Sequence, residues 1–462
     1  MAPVFPFKTR QVEPVRLDDQ PEAFQVYTER QFDKIEALNQ LSETQRFEMK
    51  VVANILPFRV NRYVINHLID WNNIPDDPIF RLVFPQKEML SENDFEQMAA
   101  VLRSTSDRSL IVQKANEIRK KLNPHPAGQQ TLNVPYENDE PIDGIQHKYR
   151  ETVLFFPSQG QVCHSFCSFC FRWAQFIGDK NLRFSNKEAY KLHSYLAKHR
   201  NISDLLITGG DPMVMKTDHL VTYLDALLKP ELDHIQTIRI GTKSLSFWPQ
   251  RFVSDDDSDD LIELLKRIVQ AGKHVAIMAH FNHWREMMTP VVQEAIRRIR
   301  KTGAVIRTQS PLLNHINNDP DVWAYMWQEQ VRLGLIPYYM FVERDTGARH
   351  YFEVPLVRAW EVYRQAIQKV SGLARTVRGP SMSTGPGKVE IQGVSEIAGE
   401  KVFVLRFLQG RNPDWIQRPF YAQFDPEATW FEHLKPAFGE EKFFFQDEYE
   451  AMCKNKTLLR SY

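Results

Sequence analysis

Residues 162–173 read VCHSFCSFCFRW and place three of the chain's four cysteines, Cys163, Cys167 and Cys170, on one short stretch. The spacing C-x3-C-x2-C offers three thiolates, whereas a structural zinc site or an ordinary four-iron cluster takes four protein ligands. One coordination position is therefore left over. His164 could fill it on zinc, but its side chain follows Cys163 directly and would have to fold back. A structural zinc site and unligated core thiols are the plain alternatives. An iron with an open position could instead hold a small molecule.

The rest of the chain bounds this reading. At 462 residues, 43% hydrophobic and 25% charged, it has globular composition and enough length for one large domain with extensions, or for two. Lys+Arg and Asp+Glu both number 58, so the balance points to neither nucleic acid nor a membrane surface as partner. A small substrate fits better. The terminus MAPVFPFKTR lacks the apolar core of a signal peptide, and no run is long enough to span a bilayer, which places the protein in the cytoplasm. In that reducing compartment clustered cysteines read as metal ligands or redox groups, and Cys453 lies far away in sequence.

Downstream of the cysteines the chain alternates between strand and helix patterns. The runs VLFFPS (153–158), DLLIT (204–208), TIRIGT (237–242), HVAIMAH (274–280), AVIRTQS (304–310) and PYYMFV (337–342) have the length and β-branched content of buried parallel strands. Amphipathic stretches separate them. One is predicted to begin at Ser185 with Glu188 completing a capping box; another begins at Thr289 with Pro290 in its first turn and stops before Gly303. KTDHLVTYLDALL, DLIELLKRIVQAG, DPDVWAYMWQEQVRLG and PLVRAWEVYRQAI supply the others. Six βα units predict an open, partial (β/α)6 barrel, with a doubly wound sheet as the alternative. Chemistry then belongs at the carboxyl ends of the strands: Gly209-Gly210-Asp211, Gly241-Thr242-Lys243, His280-Phe281-Asn282-His283, Gln309-Ser310 and Glu343-Arg344-Asp345.

These residues resemble a known family. C-x3-C-x2-C looks like the signature of radical S-adenosylmethionine (SAM) enzymes, in which three cysteines hold a [4Fe-4S] cluster and SAM chelates the fourth iron. HKYRETVLFF, CSFCFRW, LLITGGDPM, RIGT, AHFNH, QSPLLNHINND and PYYMF follow the order and approximate spacing of the lysine 2,3-aminomutase family. The upstream DWNNIPDDPIFRLVFPQKEML is similar to that family's segment before the barrel, and the likeness runs over roughly residues 45 to 410.

The resemblance implies a set of roles. Cys163, Cys167 and Cys170 would carry the cluster. Gly209, Gly210 and Asp211 match the element whose backbone and carboxylate bind the SAM amino group, with His280 and Gln309 as further cofactor contacts. The family uses a second cofactor, pyridoxal phosphate (PLP), and RGPSMSTGPGKVEI (378–391) matches its Gly-rich lysine loop, so Lys388 would carry PLP. Lys148, Tyr149 and Arg150 are candidate phosphate contacts, although the family's second arginine there is matched by Thr152. Arg172 matches the arginine that holds the substrate α-carboxylate.

Two departures stand out. The family member acting on lysine sets two aspartates against the substrate's distant ammonium; those positions are Arg344 and Ser381 here, with Asp345 adjacent. The family's C-terminal zinc cysteines are also absent, the earlier one matched by Asp319, so a zinc-clasped oligomer is not expected. The aromatic tail (YAQFDPEATWFEHLKPAF, KFFFQ) could pack on the barrel or on another subunit.

The sequence thus predicts an α/β protein: a mainly helical region over 1–145, a radical SAM partial barrel over 146–372, and an extension over 373–462 with the PLP lysine loop. The expected activity is an isomerase, a 2,3-aminomutase on a glutamate-like or neutral amino acid rather than lysine. Its partners would be that small molecule and an electron donor such as flavodoxin or ferredoxin, with a homo-oligomer left open. Lysine 2,3-aminomutase proper, another PLP-linked radical reaction, and a non-catalytic iron–sulfur or zinc protein are the alternatives.

Overall fold

A short apolar run with no polar face can persist only when both faces are covered, and helices supply the cover. The computed structural model describes residues 22–454 apart from 138, 180 and 181; the MAPVFPFKTR terminus lies outside them. In it the six predicted runs form β2 (Thr152–Phe155), β3 (Asp204–Ile207), β4 (Thr237–Thr242), β5 (His274–His280), β6 (Val305–Leu312) and β7 (Ile336–Val342). Between them run α1 (Ala189–Lys198), α2 (Thr217–Leu224), α3 (Ser258–Gln270), α4 (Pro290–Lys301) and α5 (Pro320–Arg332), and α6 (Leu356–Gln368) follows β7.

The strands lie side by side in sequence order and are parallel. That order decides between the two architectures, because a doubly wound sheet reverses direction partway along and this one does not. The sheet is a partial (β/α)6 barrel. On α3, Leu261, Leu264, Leu265 and Ile268 are buried; on α4, Val292, Ala295, Ile296 and Ile299. The i, i+3, i+4, i+7 spacing forms one apolar stripe, and each large side chain so covered contributes about 1.5–3 kcal/mol.

β1 (Ile145–Tyr149) adds an antiparallel edge beside β2, and β8 (Arg378–Ser383) continues the parallel order after β7. Beyond it β9 (Gly387–Ile397), β10 (Glu400–Gly410) and β11 (Pro419–Gln423) are antiparallel, giving eleven strands. The sheet curls strongly. Lys148 Nζ on β1 donates to the carbonyl of Thr384 just past β8 (2.5 Å), and the Trp173 indole after β2 donates to Thr346 Oγ1 after β7 (2.9 Å). Groups so distant in strand order meet only if the sheet bends round on itself.

One expectation is corrected. The first helix starts at Ala189, not Ser185, because Ser185 is bonded to Ser158 and Asn186 anchors to the Asp143 carbonyl. The parallel order runs on past residue 372, since β8 pairs with Tyr339 and Phe341 of β7. The aromatic tail packs on the barrel and on β9–β11, in a second core that includes Val342 of β7, Leu356 of α6, Phe407, Phe420, Trp430 and Phe445, and the Leu356 N–H donates to the Ala428 carbonyl (2.7 Å). Among the described residues no helix is long and apolar enough to cross a membrane.

Candidate active site

The cysteine loop leaves the carboxyl end of β2 and is clasped by the N-terminal region. Asn61 N–H donates to Ser165 Oγ (2.9 Å), Phe166 N–H to the Arg59 carbonyl (2.8 Å) and Ser168 N–H to the Leu82 carbonyl (2.8 Å). The three thiols lie in one another's electric field, and burial pushes each of them up, that of Cys170 to about 11. Thiols so placed stay protonated unless a metal displaces the proton, which is the chemistry an iron–sulfur cluster requires. His164 points away: its Nδ1 meets Ser244 Oγ at 2.8 Å and its ring packs against Phe24 and Trp248. Among the described residues no group of three His, Cys, Asp or Glu side chains converges as on a single metal ion.

The Gly-Gly-Asp turn after β3 abuts this loop. A Cβ on Gly209 would strike the Gln161 side chain, and one on Gly210 would come within 2.6 Å of the Val162 backbone, so both positions need glycine. Gly210 N–H donates to the Gly160 carbonyl (3.1 Å) and Asp211 N–H to the Val162 carbonyl (2.8 Å). The Asp211 carboxylate, however, is not turned toward a ligand. It accepts from Thr242 Oγ1 (2.7 Å), Met213 N–H (2.9 Å), Lys243 N–H (2.9 Å), Ser244 N–H (3.0 Å) and Ser244 Oγ (2.9 Å). In this arrangement Asp211 ties the ends of β3 and β4 together.

The other strand ends divide into two kinds. Lys243 is held by a buried group that sequence reading missed: Glu286 Oε2 accepts from its Nζ at 2.6 Å, and Asn282 Oδ1 at 2.9 Å. Asn282 in turn donates to Ser310 Oγ (3.0 Å). His280 and Gln309 are neighbours in register on β5 and β6; the His280 carbonyl accepts from Lys243 Nζ (3.4 Å), and the His280 ring stays outside that network. His280 Nε2 is buried with no partner, and burial keeps the imidazole neutral, packed edge-on to Phe169 between the cysteines. A neutral ring with an unmet nitrogen beside the cysteine loop fits a bound cofactor.

Lys388 opens β9. Its Nζ lies 4.0 Å from the Tyr339 ring centroid and 5.3 Å from that of Phe341. Burial, with Arg378 and Arg239 nearby, lowers the amine to about 7. An uncharged amine against an aromatic wall suits attack on an aldehyde. Lys148 reaches the same loop through Thr384, and burial holds its amine well below the usual range, aided by the charges of Arg411, Arg344 and Lys388. Tyr149 is half-buried in the field of Arg411 and Arg344. Arg150 is exposed in the β1–β2 turn, and the Thr152 hydroxyl is bonded to Asp204. Arg411 is buried after β10 and donates from Nε to the Gly385 carbonyl (3.0 Å). Its surroundings in sequence, QGRNPDW, signal only a turn.

Arg172 stacks over Phe156 (4.3 Å) and donates to Gln161 Oε1 (3.3 Å); its Nε is buried without a partner, and burial lowers the guanidinium to about 10. Arg344 lies over Phe171 (5.3 Å) with Nε and Nη2 both buried and unpartnered. Asp345 turns toward the N-terminal region, where Asn123 Nδ2 donates to its carbonyl (2.8 Å) and to Oδ2 (3.0 Å). Ser381 is fully buried on β8. The three cysteines, Arg172, Arg344 and Lys388 are half-buried although they lie deep within the protein, as side chains lining an internal hollow do. Arg172 Nε, His280 Nε2 and Arg344 Nε and Nη2 are buried without a partner, a cost that a polar occupant reaching them would relieve.

No family model matches the chain. Curated relatives do. A protein of Aquifex aeolicus whose description places it with the L-lysine 2,3-aminomutases is 30% identical over 405 residues, 88% of this chain and 95% of that protein. The L-lysine 2,3-aminomutase of Methanococcus maripaludis is 24% identical over 82% of this chain and 76% of its own length. The glutamate 2,3-aminomutase of Clostridioides difficile is 29% identical over 55% of this chain and 57% of its own.

Proposed function

The chain belongs to the lysine 2,3-aminomutase family of radical SAM enzymes, and from that premise we propose that it moves the amino group of an α-amino acid to the β-carbon, with PLP on Lys388 and with glutamate, or a similarly anionic or neutral polar amino acid, as substrate. The observation that carries the substrate class is the guanidinium of Arg344, buried with two nitrogens unmet, while Asp345 is bonded to Asn123 through its carbonyl and Oδ2 and keeps Oδ1 buried without a partner. Lysine's distant ammonium would meet a cation there, and a buried unpaired charge costs several kcal/mol.

Bound in this hollow, the iron–sulfur cluster and SAM supply a hydrogen-abstracting radical, and PLP supplies an aldehyde for the substrate's amino group. The protein's residues hold and shield. Cys163, Cys167 and Cys170 present three thiolates; the Gly209–Gly210 backbone and His280 face the SAM side. Arg172 can take the α-carboxylate through two parallel hydrogen bonds, because Gln161 engages only its Nη2. Lys388, lowered to about 7, has a substantial uncharged fraction near neutral pH, and the faces of Tyr339, Phe341 and Phe171 exclude water from the reacting carbons.

A second reading has one observation in its favour. Glu343 is buried beside Arg344, and burial pushes its carboxyl well up. An ammonium arriving there would find an acid to ionise. The experiment is a competition, anaerobic and with SAM and reductant, between glutamate and lysine. Faster conversion of glutamate supports the proposal; faster conversion of lysine, lost in Glu343→Gln, overturns the substrate class.

A further inference from the structure

The two faces of the curled sheet are filled differently. On β6 the Thr308 hydroxyl donates to Gln330 of α5 (2.7 Å), which marks the helix side, and Ile306 and Thr308 on that side are buried. Arg307 and Gln309, on the inner side, keep accessible surface although β6 lies mid-sheet; on β4 the inward Arg239 and Gly241 do the same. A close-packed interior would cover them, so the inside of the curl is open. Two cations stand there with no acceptor. Arg307 lies over the Tyr338 ring (5.2 Å to its centroid), and Arg378, the first residue of β8, lies over Tyr338 (4.4 Å) and Tyr339 (4.3 Å). Tyr339 also carries Lys388 Nζ at 4.0 Å. In register Arg378 pairs with Tyr339, Tyr339 with Gln309, and Gln309 with His280, so Arg378 continues a row of site residues. Among the described residues no hydrogen bond or ion pair engages the side chain of Arg307 or Arg378. Stacking on tyrosine answers part of a guanidinium's charge and none of its five N–H donors.

Resting on the PLP reading, we propose that Arg378 and Arg307 bind the phosphate of the cofactor that Lys388 carries. In PLP the phosphate arm leaves the ring carbon next to the one that bears the aldehyde, so it must settle close to the Lys388 amine. Arg378 shares a ring with that amine and is unengaged. The other cations nearby are spent: Lys148 on the Thr384 carbonyl, Arg411 on that of Gly385, and Arg239 on Asp204 (Nε to Oδ1, 2.8 Å), whose carboxylate also takes the Thr152 hydroxyl. The electrostatics agree. Burial lowers the Lys388 amine to about 7, and Arg378, then Arg239, add to that lowering. Like charges gathered in one hollow are costly, and a phosphate dianion on Arg378 and Arg307 removes that cost. A guanidinium also meets two phosphate oxygens at once.

The test separates phosphate recognition from support of the tyrosine wall. Apo-protein is titrated with PLP and, separately, with pyridoxal, which has the aldehyde but no phosphate; the absorbance band of each adduct gives its affinity. The titrations run at about pH 8.5, above the Lys388 midpoint, so that removing a neighbouring charge leaves the amine reactive. Arg378→Gln should weaken PLP by about tenfold or more and leave pyridoxal unchanged. Arg307→Gln should act in the same direction, and Arg378→Lys, which keeps the charge, should recover part of the loss. In the wild type, inorganic phosphate should compete with PLP and not with pyridoxal, a measurement that needs no variant to fold; absence of that competition overturns the proposal. Equal loss of PLP and pyridoxal in Arg378→Gln makes Arg378 a support of Tyr339 only and overturns it as well. PLP affinity unchanged in both glutamine variants does the same, while leaving PLP on Lys388 intact. A wild type that takes up neither aldehyde removes the PLP reading itself, and this proposal with it.

Discussion

Lys388 Nζ sits 4.0 Å above the face of Tyr339, and Arg378 stacks on the same ring at 4.3 Å. A cation–π contact favours the ammonium, yet the amine is lowered to about 7, because burial outweighs it and Arg378 adds repulsion. The ring is thus a wall for a neutral nucleophile more than a seat for a charge.

A pH dependence follows. Below about pH 7 the amine is protonated and unreactive, so pyridoxal uptake by apo-protein should rise through a midpoint near 7 and not near the ordinary lysine value of 10.5. The sign for stability is also fixed. A base whose folded value is depressed binds fewer protons than in the unfolded chain between about 7 and 10.5, so it opposes folding below 7 and ceases to do so as pH rises through 10.5. Apo Lys388→Met should therefore melt higher than apo wild type at pH 6.5, with the gap closing by pH 10. A constant gap would assign the difference to packing.

Replacing Cys163, Cys167 or Cys170 with Ala should abolish bound iron and reductive cleavage of SAM while the far-ultraviolet spectrum is unchanged. His164→Ala is the matched control, because His164 is bonded to Ser244 and faces Phe24 and Trp248. Iron content and SAM cleavage should survive in it. A variant lacking Cys170 that still cleaves SAM fully would show that the loop does not hold the cluster.

Asp211→Asn distinguishes a structural carboxylate from a ligand-binding one. An amide nitrogen cannot accept from the donors that converge on Asp211 Oδ2, so the variant should lose about 1–3 kcal/mol of stability per orphaned donor and melt several degrees lower. SAM affinity should fall only as the β3–β4 junction loosens. Undiminished stability with SAM binding abolished would return the carboxylate to the cofactor.

These particulars mark how far the sequence can be read. The six βα units are legible because β-branched runs and helical stripes are local patterns, and the cysteine loop is legible because ligand spacing is local too. β8 is not: RGPSMS holds no β-branched residue and includes both Gly and Pro, so only its pairing with Tyr339 and Phe341 makes it a strand. The Gly209–Gly210 turn is legible after its strand, but the direction of Asp211 is not, since Thr242 and Ser244 come from the next strand's end. Arg411 and Glu286 carry no motif. Each acquires its partner through the curl of the sheet or a turn beyond a strand, which no short window contains.

The last prediction concerns Arg344. Burial lowers its guanidinium, and Asp345, with Glu343 and Glu432 nearby, opposes that lowering. These carboxylates leave Nε and Nη2 without a hydrogen-bonding partner, and a carboxylate on the substrate's far end can supply two acceptors to that edge. Arg344→Ala should raise KM for glutamate by tenfold or more, about 1.4 kcal/mol, with a smaller change in kcat, since the contact is remote from the migrating nitrogen. Arg344→Asp restores a carboxylate at the position where the family pattern carries one and should shift preference toward lysine. Asp345→Ala should have little effect on either substrate, because Asp345 is engaged with Asn123. Steady-state kinetics on the three variants with both amino acids decides the matter. Lysine activity that is native-like in Arg344→Ala and lost in Asp345→Ala would assign recognition to the neighbouring carboxylate and place this chain among the lysine enzymes.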